Sequence, residues 1–242
     1  MKRRASELAL RLVPAASRPA ARLRLRRWRR PAFLGTLRRT TPLSERWGSD
    51  RGTPVDRHYI ERFLEEHRSD IHGRVLEVKD SSYTKRFGTD VSASEVLDID
   101  RTNQQATLFG DLGVPGSIVA EPFDCVVLTQ TLQYVEGLAA AVESCHALLN
   151  PGGVLLATVP ALSRSSREED ELPDYWRFTT VGCKALFEKA FGAANVTVVP
   201  HGNVLSAIAF LTGMAQEELR ASELAAHDSR FPLIIAVRAV RQ

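Results

Sequence analysis

The seven residues Phe123-Asp124-Cys125-Val126-Val127-Leu128-Thr129 constrain the fold of this chain more than any other stretch. Their apolar residues run almost without interruption instead of alternating with polar ones. A strand of that kind must be covered on both faces, as in the middle of a parallel sheet. The segments around it agree. Val55 to His67 places Tyr59, Ile60, Phe63 and Leu64 at helical spacing. Short strands are expected at Arg74–Val78, Glu95–Asp100, Ala106–Phe109, Val154–Val159, Val196–Val199 and Leu233–Arg238. Between them, helices are expected at Leu138–Leu149, stopped by Asn150-Pro151-Gly152-Gly153, and at Val181–Phe191. Thr84–Ser94 is a weak helical candidate with Gly88 inside it. Strands alternating with helices imply an α/β fold with a mainly parallel sheet.

Open sheets of this class bind ligands outside the carboxyl ends of their strands, where the strand order reverses. That rule selects the loops after Val78, Ile99, Phe109 and Thr129. Glu77 sits inside an apolar strand, so its carboxylate needs a partner, either a cationic ligand group or backbone N–H donors. Asp98 and Asp100 close the second strand, where a carboxylate can accept both hydroxyls of a ribose. Asp111 follows the third strand, where it can accept an exocyclic amine. These acids suit a nucleoside with a cationic amino-acid tail. No glycine-rich phosphate cradle accompanies them, and no metal site is expected.

The stretch Phe123 to Val135 (FDCVVLTQTLQYV), followed by His146 to Pro160 (HALLNPGGVLLATVP), resembles class I S-adenosylmethionine-dependent methyltransferases. Gly110-Asp111-Leu112 is similar to the acid that follows the third strand in that family. The resemblance covers roughly residues 55–240. It implies a Rossmann-like seven-stranded, mostly parallel sheet flanked by helices, with an antiparallel last hairpin, and S-adenosylmethionine as cofactor. On that basis Glu77 matches the first-motif acid, followed by Val78, Lys79 and Asp80. Asp98 or Asp100 matches the ribose acid. Asp111 and Leu112 match the adenine-binding pair, and Thr129 and Gln130 the positions beside the methionine end. Tyr59 could reach the cofactor's carboxylate. The sequence departs from the family at Lys79-Asp80-Ser81-Ser82-Tyr83, where a G-x-G is usual. Lys79 could pair with Glu77 or Asp80, or point to solvent.

Asp174 to Thr179 (DYWRFT) looks like the segment after strand five in a branch linked to methylation of glycans or small molecules. The acceptor is therefore expected to be a hydroxyl of a small molecule or glycan, which must lose a proton during transfer. His201, Asp174 and Tyr175 are the candidates for base or acceptor contact, with Gln133 in reserve. The acidic run Glu168–Glu171 reads as a solvated loop or a lid. Asn203 to Met214 reads as an apolar helix that covers the sheet or the acceptor pocket, or forms a homodimer face. The competing reading, prompted by the missing glycines, is a non-catalytic methyltransferase-like interaction or scaffold module.

Charge is unevenly placed. Residues 1–46 hold 14 Lys/Arg and 2 Asp/Glu, whereas 47–242 balance to −9, so the net +3 describes neither part. The expected organisation is a basic, poorly ordered extension over 1–46 and a methyltransferase-like domain over 47–242. Prolines at 14, 19, 31 and 42 interrupt any long helix in the extension. Its arginines, with Trp28, suit contact with an anionic membrane surface better than nucleic acid. Cys125, Cys145 and Cys183 form no C-x-x-C and are odd in number, which favours a reducing cytoplasm over a disulfide framework. No stretch approaches the ~20 apolar residues of a membrane span. The expected location is cytoplasmic, the arm being a solvated extension or, as the alternative, a peripheral membrane contact.

Overall fold

A computed structural model describes residues 13–29, 35–166 and 173–242. The acidic run Glu168–Glu171 lies outside the described residues, and so does the side chain of Trp28. The chain divides into two units, Met1–Thr41 and Pro42–Gln242. The division falls before residue 46 because Leu43 and Ser44 are tied into the larger unit. Leu43 N donates to Thr212 O at 2.7 Å, and the Ser44 hydroxyl accepts from Gly48 N at 3.1 Å.

In the first unit Arg18–Arg29 forms helix α1, where the sequence shows no sustained period. Pro19 is tolerated because it sits in the first turn, where an N–H has no intrahelical partner.

The second unit is a seven-stranded sheet in the order β3-β2-β1-β4-β5-β7-β6. In chain order its elements are α2 (Val55–Glu66), β1 (Gly73–Val78), α3 (Ser82–Phe87), β2 (Val91–Asp98), β3 (Leu108–Phe109) and β4 (Phe123–Thr129). They continue with α4 (Leu138–Leu148), β5 (Leu149–Pro160), α5 (Thr180–Phe191), β6 (Val196–His201), α6 (Val204–Thr212), α7 (Ala221–Ala225) and β7 (Ile234–Val240). β1 to β5 pair in parallel, and β7 runs antiparallel between β5 and β6.

The central strands feed two cores. On β4, Val126 and Leu128 pack on one face with Phe187 and Phe191 of α5 and Val142 and Cys145 of α4. Cys125 and Val127 pack on the other face with Ile60, Phe63 and Leu64 of α2 and Phe210 of α6. All four β4 side chains are buried, which is why the strand shows no alternation. Complete burial is worth about 1.5–3 kcal/mol for each large apolar side chain, so these two layers fix the sheet. α6 turns Ser206, Ala207, Ala209 and Phe210 inward and leaves Val204, Leu205, Ile208 and Leu211 exposed.

The differences from expectation lie at element ends. α3 is only six residues long because Gly88 closes it, donating to Thr84 O at 2.9 Å. β2 therefore starts early, at Val91, and stops at Asp98, leaving Asp100 in the following turn. β5 absorbs the Asn150–Gly153 stop, with a register shift opposite Phe123/Cys125. Among the described residues no helix is long and apolar enough to cross a membrane.

Candidate active site

The strand order reverses between β1 and β4, and a cleft of about 1530 Å³ opens over the carboxyl ends there. That exceeds the ~300–1,000 Å³ usual for one small ligand and leaves room for two reactants.

The β1 side is built around Glu77, which is buried. Its carboxylate accepts from Tyr83 N at 3.1 Å, Thr84 N at 2.7 Å and Thr84 Oγ1 at 2.7 Å. Burial pushes its carboxyl up, and those donors oppose the shift. Of the two partners the sequence leaves open for Glu77, the fold supplies backbone donors. They pin the loop Lys79–Ser81 against the end of β1. Within that loop Asp80 accepts from Ser82 N at 2.8 Å.

Lys79 adopts φ +77°, the left-handed conformation that a glycine would take without strain. Its N–H donates to Leu97 O at 2.9 Å, and its carbonyl accepts from Asn103 Nδ2 at 2.7 Å. The backbone bends as a glycine motif would, while the exposed lysine side chain makes no ion pair with a described acid.

Asn103 also donates to Asp98 Oδ2 at 2.6 Å, and Asp98 Oδ1 accepts from Asp100 N at 2.9 Å. Each carboxylate oxygen retains a further lone pair for a ligand hydroxyl. Asp98 lines the cleft; Asp100 does not. The carboxylate of Asp100 turns back onto Thr102 N and Oγ1, both at 2.8 Å. Asp111, Leu112, Val78, Asp80, Thr129 and Gln130 also line the cleft. Asp111 Oδ1 accepts from Gly113 N at 2.8 Å.

Residues 50–197 match a family model described as a methyltransferase domain. The chain belongs to this methyltransferase family. Among solved structures it is similar to a Listeria monocytogenes protein described provisionally as an S-adenosylmethionine-dependent methyltransferase. That pair shares 13% identity at a TM-score of 0.50, covering 78% of this chain and 97% of the other. The N-methyltransferase NodS from Bradyrhizobium japonicum WM9, in complex with S-adenosylhomocysteine, shares 14% identity at a TM-score of 0.47, covering 79% and 90%. An S-adenosylmethionine-dependent methyltransferase from Mesorhizobium loti shares 15% at 0.47, covering 77% and 98%. These likenesses concern the fold. No curated protein sequence matches the chain significantly.

Two sequence-level candidates lie away from the methyltransferase's cleft. The Tyr59 hydroxyl donates to Leu224 O at 3.0 Å, inside the core beneath α2. His201 ends β6, and its ring faces Tyr59 and Phe63 at centroid distances of 6.3 and 6.5 Å. Burial lowers its pKa, and its Nε2 is buried without a hydrogen bond. The physical reason is topological: β7 inserts between β5 and β6 and carries the end of β6 away from the switch point.

Asp174 and Tyr175 do line the cleft. Asp174, however, is committed to Arg177, with Oδ1 at 2.5 Å and Oδ2 at 2.7 Å from its two terminal nitrogens. That guanidinium holds its carboxyl below the usual range, which makes Asp174 a clamp and a poor base. Tyr175 is exposed on the rim, and its backbone N donates to Gln133 O at 2.8 Å.

Sequence reasoning missed Asp56. It stands in the first turn of α2, lines the cleft, and is buried with no hydrogen-bond partner on Oδ1. Burial raises its pKa, with the Arg57 charge opposing. Gln133 Oε1 is likewise buried and unpartnered on the cleft, while its Nε2 donates to Gln130 O at 2.7 Å. Two buried acceptors without donors call for a ligand that brings them. Read on α2, Asp56 is an ordinary first-turn acid, and only the fold turns it toward the cleft.

Proposed function

We propose that this methyltransferase moves the methyl group of S-adenosylmethionine to a hydroxyl of a small-molecule or glycan acceptor. The observation that carries the reading is the position of Asp98, Asp111 and Leu112 at adjacent strand ends on one side of the cleft. The residues present fit the cofactor. Asp98 would hold the ribose hydroxyls, Asp111 and Leu112 the adenine, and Val78 to Asp80 with Thr129 and Gln130 the methionine end. When bound, the cofactor supplies an electrophilic methyl on a sulfonium. The left-handed backbone at Lys79 supports the reading, because the chain adopts there a conformation that glycine favours.

The chain's own contribution is positioning and proton removal. Holding the two reactants in attack geometry can supply several of the ~7–11 kcal/mol available from orientation. The acceptor enters between the α2 end and the segment after β5, where Asp56 takes its proton. A buried carboxylate with a raised pKa is a stronger base than a solvated one and is restrained until the acceptor provides the donor Oδ1 lacks. The basic arm places the enzyme at anionic membrane surfaces in the cytoplasm.

Isothermal titration with S-adenosylmethionine tests this reading. Saturable binding is expected, weakened about 10–100-fold by Asp98→Ala, the loss of hydrogen bonds to a charged group worth roughly 1.5–3 kcal/mol. Folded protein that takes up no cofactor would instead establish the scaffold reading.

A further inference from the structure

The end of the cleft away from the nucleoside acids is cationic. Arg46, Arg57, Arg164 and Arg177 all line it. Asp174 neutralises Arg177, and Arg57 donates to the Tyr83 hydroxyl at 2.6 Å beside the buried Asp56. Arg164 differs from these. Its guanidinium carbon lies 3.5 Å from the centre of the Trp47 ring; its Nε, like that of Arg177, is buried with no hydrogen-bond partner. Its Nη1 donates to the neighbouring Ser165 carbonyl at 2.9 Å, and it makes no ion pair with a described acid.

Both faces of this feature are held in place. Trp47 has φ +54°, an uncommon and strained conformation for a bulky residue. The turn continues through Gly48 at φ +89°, where a Cβ would stand 2.5 Å from Met214 O. On the other side, Arg177 Nη2 donates to Arg164 O at 2.5 Å, and Ser166 N donates to Asp174 at 2.8 Å. The Asp174–Arg177 pair thus fixes the backbone on both sides of Ser165. A planar guanidinium stacked on an indole keeps its edge open for a bidentate oxyanion.

We propose that the acceptor of this methyltransferase is an anion, and that Arg164, stacked on Trp47, binds its carboxylate or phosphate group. The inference rests on the methyl-transfer reading and adds the acceptor's chemical class. Asp174 and Arg177 are positioning residues for Arg164. Charge sorts the two reactants: the acids at the ends of β1, β2 and β3 favour a cationic sulfonium, and the arginine end favours the anionic acceptor.

The test uses the full chain saturated with S-adenosylhomocysteine. Inorganic phosphate and acetate are titrated at constant ionic strength, by calorimetry and by tryptophan fluorescence. Saturable millimolar binding is expected, with a fluorescence change that disappears in Trp47→Phe. Arg164→Gln should weaken it at least tenfold and leave S-adenosylhomocysteine affinity unchanged, and Arg164→Lys should recover only part. Tighter binding of phosphate points to a phosphomonoester acceptor; tighter binding of acetate points to a carboxylate. Absence of saturable binding by either anion would overturn the proposal, as would equal affinity in Arg164→Gln. Loss of S-adenosylhomocysteine binding in that variant would also overturn it, by giving Arg164 to the methionine carboxylate. A wild-type protein that binds anion through Arg164 but no S-adenosylhomocysteine would refute the methyl-transfer reading and leave the anion site standing.

Discussion

Asp56 and Lys79 show how single residues carry this site. Lys79 holds a left-handed backbone that glycine would hold without strain, at the position where the sequence lacks the usual glycines. Asp56 is buried with an unpartnered oxygen, an arrangement that weakens the fold; in the proposed reaction it is the base. Its folded pKa lies above the unfolded value of about 3.9. The unfolded chain therefore releases the proton first, and stability falls as pH rises through the interval between the two. Asp56→Asn should be more stable than wild type at neutral pH by about 1 kcal/mol, or roughly 2–4 °C in Tm for a domain of this size. Thermal unfolding across pH checks this: the difference should close below about pH 4, and a pH-independent difference would count against it.

At the scale of elements, the described residues between β5 and α5 are tied down by backbone bonds such as Tyr175 N to Gln133 O and Phe178 N to Pro160 O, and by an ion pair. Asp174 and Arg177 join each other, the carbonyl of Arg164 and the N–H of Ser166. α5 then starts cleanly, with the Thr179 hydroxyl capping Gly182 N at 3.1 Å. The pH sign here is opposite to that of Asp56. The folded pKa of Asp174 is depressed, so its stabilisation is present above the unfolded value and lost as pH falls through the folded one. Asp174→Asn should cost about 1–2 kcal/mol at pH 7, a value reduced for the partial exposure of Arg177. Denaturant melts over a pH series should show that cost present at pH 7 and shrinking as pH falls below the unfolded value of about 3.9. Strand identity was legible from apolar runs, because burial on two faces leaves a mark in composition. Element ends were not, because Gly88, the Asn150–Gly153 register shift and the turn after Asp98 are settled by hydrogen bonds to distant or adjacent backbone.

The whole molecule joins a basic unit to an acidic one. Deleting residues 1–41 should leave S-adenosylmethionine affinity unchanged, because every residue lining the cleft lies in the unit Pro42–Gln242. The same deletion should abolish co-sedimentation with vesicles containing phosphatidylserine, each arginine near such a surface being worth about 1 kcal/mol. Retained vesicle binding would place membrane contact on the catalytic unit. The sequence by itself determined the α/β class and the acids at the strand ends, since these follow from local patterning and from the carboxyl-end rule of parallel sheets, while the family came from the resemblance of the β4 and β5 motifs. The tertiary structure decided which candidates meet. The insertion of β7 between β5 and β6 carries His201 away from the cleft to face Tyr59, the turn after β2 sends Asp100 away, and α2 brings Asp56 to the cleft. Strand order is set by packing between elements far apart in the chain, and no local pattern encodes it.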